Sequence, residues 1–278
     1  MSSSATCGPG ARAWRTCSSA SSARPTAAPG ERARVSTTAL AAQTRVELLL
    51  TLRRGESVLL TLGIPVLFLA FFSLVEVLPV PEGVDEPVDF LAPGVLALAV
   101  MSSAMVSVGI ATGFERAYGV LERLGSTPLG RPTLVAAKIL SVLAVEALQV
   151  VALTLVAVAL GWRPGGNPLL ALVAVALATS AFAGLGLLMA GTLRGEVTLA
   201  AANGLYLVLL LLGGMVFPLD RLPGALEALA RIFPAAALSE ALGGALASPV
   251  QAPAGAWAVL LGWALVAPAV AAWRFRWR

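Results

Sequence analysis

The amino-acid sequence predicts an all-α membrane protein with six transmembrane helices, and three observations support this class. Of its 278 residues, 58% are hydrophobic and 12% are charged, against about 45–50% and roughly 25% in soluble domains. The mean hydropathy of +0.87 is too high for a chain that must cover its surface with polar groups. Six apolar runs are long enough to cross the roughly 30 Å of hydrocarbon in a bilayer.

The N-terminal segment differs from the rest of the chain. Residues 1–36 hold five arginines, one acid and many Ser, Ala and Pro residues, without an apolar run of the kind that a signal peptide needs. We expect 1–36 to be disordered, with a functional start near Val35, and 37–278 to form one transmembrane domain. The segment 38–55 mixes leucines with four charged residues just before the first apolar run, which predicts an amphipathic helix at the membrane interface.

The six predicted spans are helices, because a lipid-exposed backbone must satisfy its own N–H and C=O groups and the runs show no period-2 alternation. The second, fourth and fifth runs contain no charged residue. Between the fifth and sixth runs, four prolines divide 218–249 into pieces too short to cross a bilayer, so we expect short external helices there. The predicted spans are 57–79, 90–114, 138–161, 167–193, 197–217 and 254–273.

The distribution of positive charge predicts the orientation. Six spans place both termini on one side, and that side carries 16 of the 19 Lys and Arg residues. Without the five arginines of the tail, that side carries 11 Lys and Arg residues and the opposite side carries 3. Cytoplasmic loops carry the excess of Lys and Arg, so we expect both termini to be cytoplasmic. The first loop on the opposite side agrees, since it contains acids but no Lys or Arg.

The loop after the second span, 113–131, contains the most informative pattern. At 100° per residue, Glu115 and Glu122 share one face of a helix, and Arg116 and Arg123 share a second. A third face is apolar and contains Ala117, Val120, Leu121 and Leu124. Gly125 suits the end of this helix, and Pro128 moves Thr127 out of the helical region. Spacing alone leaves two interpretations open: a helix that lies on anionic headgroups, or one that docks into a groove of a cytoplasmic partner.

Glu146 is a carboxylate near the middle of the third span, with Gln149 one turn further on. An acid at this depth costs about 2.5–3.5 kcal/mol on insertion scales and is a candidate for a functional site. The alternative is a structural glutamate, hydrogen-bonded by a group such as Asn203 or Tyr206 of the fifth span, and we favour it. A stripe of small residues in the fourth span, Ala176, Ser180 and Gly184, predicts a helix-packing surface.

The residue types that are absent exclude several functions. The chain has no histidine and only two cysteines, Cys7 and Cys17, both in the tail. Ser-His-Asp triads, histidine metal sites and zinc sites therefore cannot be built, and we expect no catalytic, cofactor or metal-binding residue. The pattern G-x-x-x-x-G-K-[ST] of an ATP-binding loop is also missing. We do not interpret the basic charge as nucleic-acid binding, because 18 of the 19 cations are arginines, which suggests a codon bias.

These residues resemble a known family. The run from Pro93-Gly94 to Glu115-Arg116, followed by 119–124 and 126–129, is similar to the ABC-2 type permeases of ABC transporters, especially those of drug exporters. A second block, 213–219 with Leu222-Pro223 and Phe233-Pro234, is similar to the family's pattern after its fifth span. The resemblance extends from about residue 40 to the end, and the order of elements matches, with a coupling helix in the second loop.

The resemblance implies a membrane subunit that pairs with a second permease, as a homodimer, and with two ATP-binding subunits. It implies export of a hydrophobic or amphipathic compound across the cell membrane, with a role in efflux or antibiotic resistance. The residues expected to couple to the ATPase are Glu115, Arg116, Leu121, Glu122, Arg123, Leu124, Thr127 and Pro128. A secondary transporter remains an alternative, although coupling-ion ligands in both halves are lacking, and a membrane enzyme ranks last.

Overall fold

The computed structural model describes residues 29–53, 55–75, 87–126, 130–215, 219, 223–251 and 253–275. The chain divides into two compact units, Met1–Thr38 and Ala39–Arg278. The first unit is described only from Pro29 onward. The architecture reported below is that of the second unit.

The described elements are helices, and the described residues contain no strand. A π-helical turn, Ser102–Ser107, joins the helices Pro87–Met101 and Val108–Ala117. The helices are α1 (Pro29–Arg53), α2 (Gly55–Leu74), α3 (Pro87–Met101), α4 (Val108–Ala117), α5 (Val120–Gly125), α6 (Arg131–Ala159), α7 (Pro168–Thr192), α8 (Gly195–Leu212), α9 (Gly224–Ala230), α10 (Pro234–Leu246) and α11 (Ala254–Arg274).

Five helical segments of the described residues are long and apolar enough to cross a membrane, which confirms the all-α membrane class. They are Val88–Ala117, Arg131–Ala159, Pro168–Thr192, Gly195–Leu212 and Ala254–Arg274. These five coincide with the second to sixth predicted spans. The first predicted span, 57–79, corresponds to α2, whose 20 residues rise about 30 Å. Within α2, Thr61–Leu74 forms an apolar helix that is shorter than the other five.

Two boundaries differ from the sequence prediction. The helix α1 begins at Pro29, within the segment predicted to be disordered, while 1–28 lies outside the described residues, so the disordered tail stays a prediction. Proline suits the first position of a helix, where its missing N–H is not needed. The helix α6 begins at Arg131 rather than 138, with proline in its first turn. Lys138 therefore lies two turns inside a helix and not in the preceding loop.

The helix α7 lies in the centre of the bundle, where it contacts α3, α4, α6, α8, α10 and α11. Its small residues allow backbones to approach closely. A Cβ atom on Gly184 would lie 2.5 Å from the backbone nitrogen of Pro268 in α11, and one on Gly186 would lie 2.5 Å from the backbone oxygen of Met105. Ser180 Oγ also donates a hydrogen bond to the Ala264 carbonyl at 2.8 Å. Ser180 and Gly184 thus confirm the predicted packing stripe, whereas Ala176 is exposed.

The region between α8 and α11 contains two short helices, as the prolines predict. The pair α9 and α10 is bent by 83°. This bend is typical of a broken span or of a re-entrant segment, which enters and leaves the membrane on the same side. Trp263 Nε1 of α11 donates to the Ile232 carbonyl at 2.9 Å, between the two helices. Gly166, before α7, lies directly against Ala245 and Leu246 of α10. These contacts place α9 and α10 at the end of the bundle opposite α5.

Candidate functional site

The helix α5 is attached to the bundle by its leucines. Leu121 is fully buried and forms a small apolar cluster with Leu134 at the start of α6 and Phe275 just after α11, and Leu124 packs against this cluster. Of the predicted apolar stripe, Leu121 and Leu124 therefore pack against the chain itself, whereas Ala117 and Val120 are exposed. The exposed side chains of 117–126 are those of Ala117, Tyr118, Val120, Glu122, Arg123 and Ser126.

The loop does not form the single helix that the spacing predicts. The helix α4 ends at Ala117, and Gly119 adopts φ = +72°, a left-handed conformation that other residues rarely adopt. A second helix, α5, then begins at Val120. The break removes the shared register of Glu115 with Glu122 and of Arg116 with Arg123, because 100° per residue does not continue through a left-handed residue. The helix ends at Gly125 as predicted, while Thr127 and Pro128 lie outside the described residues.

Glu115 belongs to a buried ionic cluster. Lys138 Nζ lies 2.8 Å from Glu115 Oε2 and 3.0 Å from Glu47 Oε2. The lysine side chain is 4% exposed, and the glutamates are 17% and 11% exposed. This cluster connects α1, α4 and α6. Removal of one partner from a buried ion pair costs about 3–5 kcal/mol, because it leaves an uncompensated charge, so each of the three charges requires the others at this end of the bundle.

Arg116 contacts the C-terminal end of α7. Its Nη1 atom donates to the backbone oxygens of Ala190 at 3.1 Å and Leu193 at 3.2 Å. The last carbonyls of a helix lack partners within the helix and carry a partial negative charge, so an arginine stabilises them. Arg116 thus fixes the end of α4 against α7. Two of the four charged residues predicted to couple to a partner therefore bind within the chain: Glu115 binds Lys138, and Arg116 binds the end of α7.

The carboxyl group of Glu146 is hydrogen-bonded, but not to the predicted side chains. Its oxygens contact Ser103 Oγ at 3.0 Å and Thr179 Oγ1. Ser103 lies in the π-helical turn and Thr179 in α7, so Glu146 joins three elements in the middle of the bundle. Asn203 is exposed and donates to the Leu199 carbonyl at 2.9 Å in its own helix. Glu146 therefore does not pair with Asn203 or Tyr206 as expected, since its hydrogen bonds are with Ser103 and Thr179.

Gln149 does not contact Glu146 through its amide. Its Nε2 donates to the Thr61 carbonyl of α2 at 3.0 Å. Its Oε1 is buried and has no hydrogen-bond partner among the described residues. The two polar residues predicted as one intramembrane site therefore bind different helices. The described residues also contain no group of three or more Asp, Glu, His or Cys side chains arranged to hold a metal ion.

Sequence reasoning missed the partners Glu47, Lys138, Ser103 and Thr179. The signal for the first two was present, since Lys138 is the single lysine of the chain and lies at the edge of a predicted span. A charge at that position needs a counter-charge, and Glu47 and Glu115 flank the first two spans at the same membrane face. The two hydroxyl residues gave no such signal, because Ser and Thr are common in apolar helices, where they bond to their own backbone.

A sequence model of the ABC-2 type transporter family matches residues 38–246. This range is 209 of the 278 residues, begins within α1 and ends at the last residue of α10. It contains α5, the ionic cluster and the hydrogen bonds of Glu146. None of the curated proteins compared with the chain matches it.

Proposed function

The chain belongs to the ABC-2 type transporter family, and from this premise we propose that it is the membrane subunit of an ATP-driven exporter. Its cargo is a hydrophobic or amphipathic compound, such as a drug, an antibiotic or a lipid-like molecule, moved out across the cytoplasmic membrane. The observation that supports this function best is the geometry of α5, a short helix held to the bundle by leucines with its charged side chains exposed.

ATP is hydrolysed by a separate chain in this proposal. The sequence lacks a phosphate-binding loop, and its single lysine, which such a loop would require, is buried between two glutamates. A functional assembly contains two ATP-binding subunits and two permeases, which we take to be a homodimer. We assign ATP hydrolysis to another chain because the described residues offer neither a nucleophile system nor a metal site that could replace the ATPase.

The motion of the ATPase reaches the membrane by two routes. The first runs from α5 through Leu121 to Leu134 and Phe275, and so to α6 and α11. The second runs from α5 through the Gly119 break to α4, and then through the Glu115–Lys138–Glu47 cluster to α1. The contacts of Leu121 and of Lys138 on these routes are buried, so a displacement of α5 moves the helices rather than being absorbed by a flexible loop.

The excess of positive charge supports a cytoplasmic position for α5 and for both termini. In this orientation the pair α9 and α10 lies on the outer side, where it shapes the exit for the cargo. Exposed leucines on α1, including Leu49 and Leu50, face away from the bundle and contact lipid at the inner interface, which supports the predicted interfacial helix. Glu146 holds the bundle together and does not take part in transport.

The variant Glu122→Arg tests the coupling role. Glu122 is exposed on α5, so reversal of its charge leaves insertion and folding intact but disrupts docking to the ATP-binding subunit. We expect loss of cargo-stimulated ATP hydrolysis in the co-purified complex. Glu196→Arg is the matched control, since Glu196 is also exposed and begins α8 at the same end of the bundle. Full ATPase stimulation in Glu122→Arg would count against the coupling role of α5.

A further inference from the structure

A cavity of about 100 Å³ lies among α1, α2, the π-helical turn, α4 and α6. A cavity of this size holds several waters or a small polar group. Its charged lining consists of Glu47 and Lys138. Four apolar residues complete it, Val108, Ala111, Val142 and Val145, and the remaining lining residues carry hydroxyl groups, namely Thr51, Thr61, Ser103, Ser107, Thr112 and Ser141.

Several hydroxyl groups at this cavity have already donated their protons to backbone carbonyls and can only accept from a ligand. Thr51 Oγ1 donates its proton to the Glu47 carbonyl at 2.9 Å, and Ser141 Oγ donates to the Lys138 carbonyl at 2.8 Å. A hydroxyl group has one proton, so these oxygens keep only their lone pairs for a ligand. The carboxylate of Glu47 adds further acceptor sites. Two of the three N–H donors of Lys138 are already occupied by glutamates. The lining therefore suits a ligand that donates.

The charge at the cavity favours a cation. Glu47 and Glu115 share the single ammonium group of Lys138, which leaves a formal charge of −1 on the cluster. The second oxygen of Glu47, Oε1, accepts from the neutral amide of Gln43 at 2.9 Å. A positive ligand in the cavity compensates this charge, whereas an anion would be repelled in an environment with little water to screen it.

Thr112 supplies an independent sign of a missing partner. Its side chain is fully buried and lines the cavity, yet Oγ1 has no hydrogen-bond partner among the described residues. A buried polar group without a partner costs about 1–3 kcal/mol. The adjacent wall is formed by the π-helical turn, a rare feature that occurs frequently at functional sites.

We propose that this cavity binds the protonated amine of an amphipathic molecule. The ammonium group donates to Glu47 and to the hydroxyl oxygens of Thr112 and Ser141, and the first carbons of the ligand contact the apolar lining. This inference rests on the proposed transport function and narrows its cargo to amphipathic amines, or to lipids with a primary amine headgroup. Both sources share the chemistry of an ammonium group on an apolar chain.

Binding of a matched pair of dyes tests the proposal. Dansylcadaverine carries a primary ammonium group at pH 7, and its N-acetyl derivative is neutral but otherwise similar. We expect the full-length chain in phosphatidylcholine nanodiscs to bind dansylcadaverine saturably, by fluorescence, and at least about tenfold more tightly than the N-acetyl derivative, as befits a hydrogen bond to a charged group. Equal affinity for the two dyes would overturn the proposal.

Two variants locate the binding. Ala111→Leu fills the cavity and is expected to abolish saturable binding. Thr112→Val keeps the shape of the side chain and removes the hydroxyl, which weakens binding about three- to tenfold. Ser180→Ala is the control, because Ser180 donates to a carbonyl of α11 away from the cavity. Wild-type affinity in Thr112→Val, which should fold even if Ala111→Leu does not, would contradict the assignment of this cavity.

The lipid in the nanodisc distinguishes the two sources of amine. Phosphatidylethanolamine has N–H donors and phosphatidylcholine has none. A lower affinity for dansylcadaverine in phosphatidylethanolamine identifies the lipid headgroup as the ligand, and an unchanged affinity identifies free amphipathic amines. Failure of this inference is separable from failure of the transport function: a chain that stimulates its ATPase partner but does not distinguish the two dyes is a permease without an amine site.

Discussion

The ammonium group of Lys138 holds together three helices at one end of the bundle, through Glu47 and Glu115. Lys138→Met removes the charge and leaves two carboxylates buried without a counter-charge. We expect the variant to lose about 3–5 kcal/mol of stability, measured as a lower midpoint of thermal unfolding in detergent. The triple variant Lys138→Met, Glu47→Gln, Glu115→Gln removes all three charges and recovers much of this loss. Similar midpoints for the single variant and the wild type would show that the cluster does not hold the helices.

Glu146 gives a second prediction at the scale of one residue. Its contacts with Ser103 and Thr179 need hydrogen-bonding atoms but no charge. We expect Glu146→Gln to retain cargo-stimulated ATPase activity in the complex. Glu146→Ala loses the hydrogen bonds and the side-chain volume, so its unfolding midpoint falls by an amount equivalent to about 1–3 kcal/mol. Loss of ATPase stimulation in Glu146→Gln, with a normal midpoint, would assign the carboxyl group a role in transport.

The sequence predicts which of these polar residues are unusual but not which atoms they contact. A charge within an apolar run is visible in any sequence, and so Glu146 is identified at once. Its partners depend on the rotation of each helix about its axis, which is set by packing such as that of Gly184 and Gly186 against α11 and the π-helical turn. Asn203 and Thr179 are equally plausible partners until that rotation is known.

In the proposed function, coupling depends on the break between α4 and α5. Gly119→Ala places a side chain at φ = +72°, at a cost of about 1–2 kcal/mol. It also favours a continuous helix that pulls Leu121 out of its cluster. We expect reduced ATPase stimulation in the complex and a slightly lower unfolding midpoint. Gly204→Ala is the control, because a Cβ there meets no atom within 4 Å. Equal effects of the two substitutions would indicate that the break has no special role.

The sequence predicts a helix well where the length of an apolar run determines it. It predicts a helix poorly where a single backbone angle determines a break. Five predicted spans lie within a few residues of their observed helices, except for the early start of α6, because about 20 apolar residues have few alternatives in a membrane. The helix of 113–124 fails as a single unit, since periodicity assumes an unbroken 100° per residue and Gly119 interrupts it. A glycine within a short amphipathic run was the available signal.

At the scale of the whole molecule, the bundle has two distinct ends. One end gathers α5, the ionic cluster, the Arg116 contacts and the C-terminal residues of α11. The other carries the bent pair α9 and α10. The central helix α7 contacts most of the others and so connects the two ends. This arrangement suits a subunit driven from one side of the membrane by another protein.

Photo-cross-linking from Arg123 tests this account most directly. Arg123 is exposed on α5, and its replacement by the photoreactive amino acid p-benzoylphenylalanine reports what lies against this helix in native membranes. The same replacement at Leu229, exposed on α9, serves as the control at the opposite end. We predict that the Arg123 position forms a cross-link to an ATP-binding-cassette ATPase, identified by mass spectrometry, and that the Leu229 position does not. A cross-link to that ATPase from Leu229, or none from Arg123 in an intact complex, would contradict the account.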